Sequence, residues 1–305
     1  MPLSFQPGTL EILCGSSRVM PAPLRQSLFT RRQKARLALA FGVAFLTPIS
    51  YGRVQQQIKA SANIPINQDD DVTSVWTKEA PCFDQEVRWT ESLWGINYLR
   101  RRLLKRARGK TLEVGVGTGR NLETSAYTWP WQKKEKGFFS TPSPPVTDLT
   151  CIDLVVEMLR EAETKAAAFK NGPNEQALRE GRIHFIQGDA AALPFPKELR
   201  EEDKFDTVIQ TMGLCSESDP HQALKEMQRV CKRDGQILLL EHGRSTWPWL
   251  NHLLDGLAKS HAVRFGCWWN RDIGAILHNS GLIIETEERW HLGTTSFIIA
   301  KPGQP

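Results

Sequence analysis

The stretch Lys110–Asn121, KTLEVGVGTGRN, constrains this chain more than any other. An apolar strand over Thr111–Val114 runs straight into glycines at 115, 117 and 119. Glycine at alternate positions lets the backbone turn sharply after a strand and leaves no side chain between main chain and ligand. Asn121 and the residues after it can begin a helix whose free N–H groups face the loop. Strand, bare bend and helix in that order open an α/β sheet, whose ligands lie at the carboxyl ends of its strands. Glu113 stands at such an end, where its carboxylate suits a cationic ligand better than a pyrophosphate. A dinucleotide fingerprint would place its third glycine at position 120; the chain has Arg120 there, which disfavours a nicotinamide-dependent oxidoreductase.

Downstream, short apolar runs alternate with helical periodicity. The strand Val146–Ile152 ends in Asp153, a carboxylate that can accept from both hydroxyls of a ribose or cap the helix beginning at Val155. The strand Arg182–Gln187 leads into Gly188-Asp189-Ala190, where Asp189 is either the acceptor for an adenine amine or a plain turn aspartate. The strand Phe205–Gln210 ends in Thr211-Met212-Gly213-Leu214-Cys215-Ser216, with the backbone of Met212 at the ligand-binding edge. Asp219-Pro220 has the chemistry of a helix cap and first turn, and the helix runs to a break at Asp234-Gly235. Gln236–Leu240 is an unbroken apolar run, as a strand buried on both faces should be. An aromatic-rich helical region, Trp247–Asn279, and a hairpin of Leu282–Arg289 with Thr294–Ala300 close the chain. Ahead of the glycines, Phe83–Arg108 predicts one helix burying Val87, Leu93, Trp94, Ile96 and Leu99. Trp129–Pro145 has no periodicity and is expected to be a surface loop.

Charge separates the N-terminus from the rest. Residues 1–60 hold eight Lys/Arg and one acid, Glu11; the remainder has 39 − 8 = 31 basic and 34 − 1 = 33 acidic residues. A near-neutral body argues against nucleic acid as a partner. Residues 1–36 have the composition of a mitochondrial transit peptide or basic arm. Residues 37–52 carry no charge; as a helix they would span roughly 24 Å against a bilayer core of roughly 30 Å, short but feasible as a single-pass anchor. The basic cluster Arg31–Arg36 precedes this span, which would keep the N-terminus in the matrix and the globular part in the intermembrane space. Residues 53–82 are expected to be a linker and 83–305 the folded domain.

The six cysteines show no Cys-x-x-Cys pair and no regular spacing with histidine, so neither a disulfide framework nor a metal site is expected. His242, at the tip of the fifth strand, is the best-placed general base, or else a hydrogen-bonded structural histidine. Cys215 either lines an acceptor site or fills a small buried space. The tryptophans between 247 and 269 suit a core or a lid at a membrane interface.

The spacing Glu-x-Gly-x-Gly-x-Gly, with CID, GDA, GLCS, LLLEHGRS, RFGC and WNRD, resembles the class I S-adenosylmethionine-dependent methyltransferases. With the N-terminal arm, the chain is similar to fungal mitochondrial inner-membrane methyltransferase-like proteins and to the related membrane-associated thiol methyltransferase-like group. The resemblance covers about Phe83–Lys301. It implies a Rossmann-like α/β fold, a seven-stranded mostly parallel sheet with helices on both faces and an antiparallel last strand. The implied cofactor is S-adenosylmethionine, held by Glu113, Gly115, Gly117, Gly119, Asp153, Asp189 and Met212. The expected acceptor is small and apolar or amphipathic: a thiol, a phenol or quinol, or a lipid. A second expectation is a methyltransferase-fold scaffold that helps assemble respiratory-chain complexes with little or no catalysis.

Overall fold

A computed structural model describes residues 48–123, 127–132, 144–168 and 173–303. Seven strands form one sheet: β1 (Gly109–Val114), β2 (Val146–Asp153), β3 (Ile183–Gln187), β4 (Phe205–Thr211), β5 (Cys231–His242), β6 (Ile283–Trp290) and β7 (Thr295–Lys301). Their order across the sheet is β3-β2-β1-β4-β5-β7-β6. β1 pairs in parallel with β2 and β4, and β4 with β5, while β7 runs antiparallel to both β5 and β6. From β1 the chain first builds outward through β2 and β3, then returns to add β4 on the other flank. Such a reversal opens a crevice at the carboxyl ends of β1 and β4, and the glycine bend lies there.

Successive strand residues point to opposite faces, and the buried residues sort accordingly. Leu149, Cys151, Ile209, Leu238, Leu240 and Phe297 belong to one core cluster, with Leu99, Leu103, Leu159 and Ala162 packed on it. Leu112, Val114, Val208, Ile237, Leu239 and Ile298 belong to the other, with Leu224, Met227, Val230 and Ile276. The expected seven-stranded sheet with helices on both faces is therefore present.

The N-terminal portion departs from expectation. Residues 56–305 form one compact unit, and of the residues before it only 48–55 are described. Residues 1–36 and most of the expected anchor, 37–47, lie outside the described residues; no helix among those described is long and apolar enough to cross a membrane. α1 (Pro48–Ala62) runs from the end of the expected anchor into the supposed linker, which also carries α2 (Thr73–Glu79). The single helix expected over Phe83–Arg108 is two, α3 (Phe83–Trp94) and α4 (Ile96–Leu104), divided by Gly95 in the left-handed conformation. That break rotates the apolar faces apart: α3 has no buried residue and leaves Leu93 and Trp94 exposed, whereas α4 buries Leu99, Leu103 and Leu104.

After β1 come α5 (Arg120–Glu123), α6 (Val156–Ala168) and α7 (Pro173–Arg179). The start of the expected surface loop is core instead. Tyr127 and Trp129 are buried, Trp129 stacks on Trp131 with ring centroids 5.4 Å apart, and its indole N–H donates to Asn174 Oδ1 at 2.8 Å. In α8 (Pro220–Val230) the cap is as expected, Asp219 accepting from the Gln222 N–H at 2.9 Å. The helix ends at Val230, before the glycine, because Cys231 already pairs with Phe205 as the first residue of β5. The aromatic region forms α9 (Pro248–Phe265) and α10 (Ile273–His278). Its tryptophans divide: Trp268 is buried, Trp247 and Trp249 are exposed.

Candidate active site

Val114 ends β1, and Gly115, Gly117 and Gly119 all take positive φ, at 66°, 56° and 77°. Side chains with a Cβ resist that conformation, which is why the bend is written in glycine. Gly119 contacts the neighbouring helix rather than the crevice: a Cβ there would meet Ala162 at 3.2 Å. The Gly117 N–H donates to Asp153 Oδ2 at 2.8 Å, and the Val155 N–H to Asp153 Oδ1 at 2.9 Å. Asp153 thus ties the bend of β1 to the tip of β2. Burial raises its pKa, and those backbone donors act against the rise.

Gly115, Gly117, Asp153, Gly188, Ala190 and Met212 line one cleft. Glu113 does not. Leu112 and Val114 face one side of the sheet, so Glu113 points to the other, beneath the bend. There it accepts from Asn121 Nδ2 at 2.9 Å and the Tyr127 hydroxyl at 2.5 Å. Burial pushes its carboxyl up to about 7 despite those two bonds. Glu113 thus supports the bend from below. Asp189 is exposed and accepts from the Ala191 N–H at 2.8 Å, a turn aspartate beside the lining residues Gly188 and Ala190.

Other groups at the cleft lie outside the expected set. Glu217 lines the cleft, accepts from Gln210 Nε2 at 3.0 Å, and is pushed up to about 8 by burial with Asp189 and Asp153 nearby. Arg100 was one of a basic run by composition. In the fold it is 4% exposed and donates to Asn121 Oδ1 (3.1 Å), Thr211 Oγ1 (2.6 Å) and Glu91 Oε1 (2.7 Å), with its buried Nε left without a partner. The missed signal is its register, four residues after Ile96 and three before Leu103, on the buried face of α4. Glu91 also accepts from Arg120 at 2.6 Å; burial opposes its ionisation, but the two guanidiniums hold its carboxyl below the usual range.

A second cavity, of about 930 Å³, adjoins the first and is walled by Val87, Ile96, Leu250 and Phe265 among others. Trp76, Phe83, Arg100 and Met212 line both. Met212 holds φ at 58°, unusual for a residue with a side chain, and its N–H donates to Leu240 O at 2.7 Å. His242 opens onto the second cavity, not the first. Its Nε2 lies 3.0 Å from Cys215 Sγ and 2.8 Å from Cys267 Sγ, a grouping that the spacing of these residues did not suggest. Among the described residues, Cys151, Cys215, Cys231 and Cys267 are free.

Residues 112–239 match the family model described as a methyltransferase domain. The chain is 30% identical over 258 residues to the mitochondrial methyltransferase OMS1 of Saccharomyces cerevisiae, covering 82% of this chain and 50% of that protein. It is 38% identical over 97 residues to the ubiquinone/menaquinone biosynthesis C-methyltransferase UbiE of Hahella chejuensis, 31% of this chain and 36% of that one. The chain thus spans about half the length of the yeast relative and about a third of the bacterial one. Among solved structures, the DhpI–SAH complex is 15% identical, with 78% of this chain and 98% of that chain covered and a TM-score of 0.49.

Proposed function

We propose that this chain, whose residues 112–239 match a methyltransferase-domain model, transfers a methyl group from S-adenosylmethionine to a small apolar or amphipathic acceptor. The observation that carries this is the pair of adjoining cavities sharing a wall at Met212, one bounded by the glycine bend and Asp153, the other largely apolar. The cradle fits a nucleoside. Gly115 and Gly117 keep the bend bare, and a Cβ at Gly188 would meet Pro194 at 2.8 Å.

When bound, the cofactor supplies a methyl carbon made electrophilic by its sulfonium. Asp153 holds the ribose hydroxyls, its two oxygens each keeping acceptor capacity beyond one backbone N–H. Ala190 packs against the adenine, with Asp189 and Glu217 near its amine. Arg100, with a buried donor to spare, pairs with the carboxylate of the amino-acid portion. The protein's main task is then alignment of the acceptor and exclusion of water. Trp76 and Phe83, packed edge-to-face with centroids 5.5 Å apart, close over both cavities for this purpose.

Thiols, quinol-like phenols and lipids suit the second cavity; the quinone C-methyltransferases among the relatives favour the quinol class. A general-base role for His242 is not part of this reading, because its Nε2 already faces two sulfurs. The N-terminal arm and the mitochondrial yeast relative support an inner-membrane location with the catalytic domain in the intermembrane space. Release of the protein by carbonate extraction of mitochondria would remove the anchor.

Titration calorimetry of the full chain with S-adenosylhomocysteine tests the central reading. Binding is expected, with loss in Gly117→Arg, whose side chain would fill the cleft. No binding by the unaltered protein refutes donor binding. Binding combined with full cellular rescue by Gly117→Arg points to the scaffold instead.

A further inference from the structure

We propose that Cys215, His242 and Cys267 bind a soft divalent metal ion of the Zn²⁺ type, leaving a fourth coordination position open to the larger cavity. The three ligand atoms all lie within 4.8 Å of one another, and the imidazole Nε2 is 3.0 and 2.8 Å from the two sulfurs. Both cysteines are free and buried, at 1% and 4% exposure, while His242 is half-buried. All three line the second cavity.

The donor set matches the metal. Zn²⁺ takes thiolate at about 2.3 Å and imidazole at about 2.0–2.1 Å in a tetrahedron, which sets neighbouring ligand atoms roughly 3.5–4 Å apart. The sulfur–nitrogen separations here, 3.0 and 2.8 Å, fall about 0.5 and 0.7 Å below that range, so the three side chains would have to move apart by that much to seat the ion. Two thiolates would cancel the charge of the ion, so the site adds no net charge to apolar surroundings. Sites with three protein ligands and an open position are the reactive kind, and closed four-ligand sites the structural kind.

The ligands are also held from behind, as metal ligands commonly are. Glu241, fully buried, accepts from the Leu214 N–H at 3.1 Å, one residue before Cys215. Arg271 donates to Leu214 O at 2.8 Å, and the Trp268 N–H to Cys215 O at 3.0 Å. His261 Nδ1 lies 2.8 Å from the carbonyl oxygen of Cys267. Three segments distant in sequence are thereby fixed around one point.

Metal binding stands apart from methyl transfer; only the use of the open position rests on the proposed function. There the acceptor's lone-pair atom would coordinate and release its proton to solvent. That atom would then bond to the methyl carbon as the carbon–sulfonium bond breaks, its electron pair passing to sulfur to give the neutral thioether.

The test uses full-length protein loaded with Zn²⁺ or Co²⁺, its metal content read by mass spectrometry and the Co²⁺ form by its thiolate charge-transfer absorption. About one ion per chain is expected, with affinity falling at least about tenfold in Cys267→Ser and in His242→Ala. S-adenosylhomocysteine binding by Cys267→Ser should match the unaltered protein, since Cys267 lies outside the donor cleft. Should the variants fail to fold, protection of Cys215 and Cys267 from N-ethylmaleimide by added Zn²⁺ gives the same answer on unaltered protein. A Cys215–Cys267 disulfide, less than about a tenth of an ion per loaded chain, or undiminished affinity in folded variants would overturn the site. Metal bound without S-adenosylhomocysteine bound would sink the methyl-transfer reading and leave the metal site standing.

Discussion

Glu113 gives the sharpest quantitative test of the site's construction. Its carboxyl titrates near 7 in the fold, against 4.5 for the ordinary group, because it is fully buried. Below the ordinary value both folded and unfolded chains hold the proton, so the residue has no effect on pH dependence. Between the two values the unfolded chain releases its proton while the folded chain keeps it. Stability is therefore lost as pH rises through this window, and is flat above it. A gap of this size corresponds to about 3 kcal/mol in all, of which about 2–3 kcal/mol falls between about pH 5 and about pH 8. Glu113→Gln removes the titration, at a cost of about 1 kcal/mol for a poorer partner to Tyr127 and Asn121. Urea unfolding of both proteins at the two pH values isolates the residue, because other buried acids such as Asp153 contribute equally to each. The unaltered protein should lose about 2–3 kcal/mol more than the variant on going to the higher pH. Parallel profiles would refute the burial argument and with it the placement of Glu113 beneath the bend.

Three other outcomes follow from particular contacts. Asp153→Asn should weaken S-adenosylhomocysteine binding by about tenfold or more and cost about 1–3 kcal/mol in urea unfolding, because an amide has one oxygen for the two backbone donors of Gly117 and Val155. Gly213→Ala should destabilise by about 1–3 kcal/mol, because its Cβ would fall 2.5 Å from the side chain of buried Gln210. Trp129→Ala should cost about 3–5 kcal/mol in chemical denaturation, the value for an aromatic core residue; a change below about 1 kcal/mol would return the segment to the surface.

Much of the scaffold is legible without coordinates because its signals are local. The run Ile237–Leu240, the glycines at 115, 117 and 119, and the Asp219-Pro220 cap each state their own geometry within a few residues. Gly95 carries such a signal too, but the apolar residues on either side of it mimic one continuous helical stripe and hide the break. The aromatics at 127 and 129 become core only because Glu113 and Asn174, remote in sequence, offer their polar ends a partner. Asp189 is legible in part: its chemistry suits adenine, and in the fold it forms a turn with Ala191 beside the lining residues Gly188 and Ala190. The grouping of Cys215, His242 and Cys267 depends on how β4, β5 and the segment after α9 end beside one another. No spacing rule along the chain encodes that meeting.

Trp76 and Phe83 border both chambers, so the two helices that carry them wall the pair at once. α3 has no buried residue, so what holds it is polar: Glu91 accepts from Arg100 and Arg120, and Asp84 from Thr118. For the proposed methyl transfer, a wall common to both chambers suits donor and acceptor bound together rather than in turn.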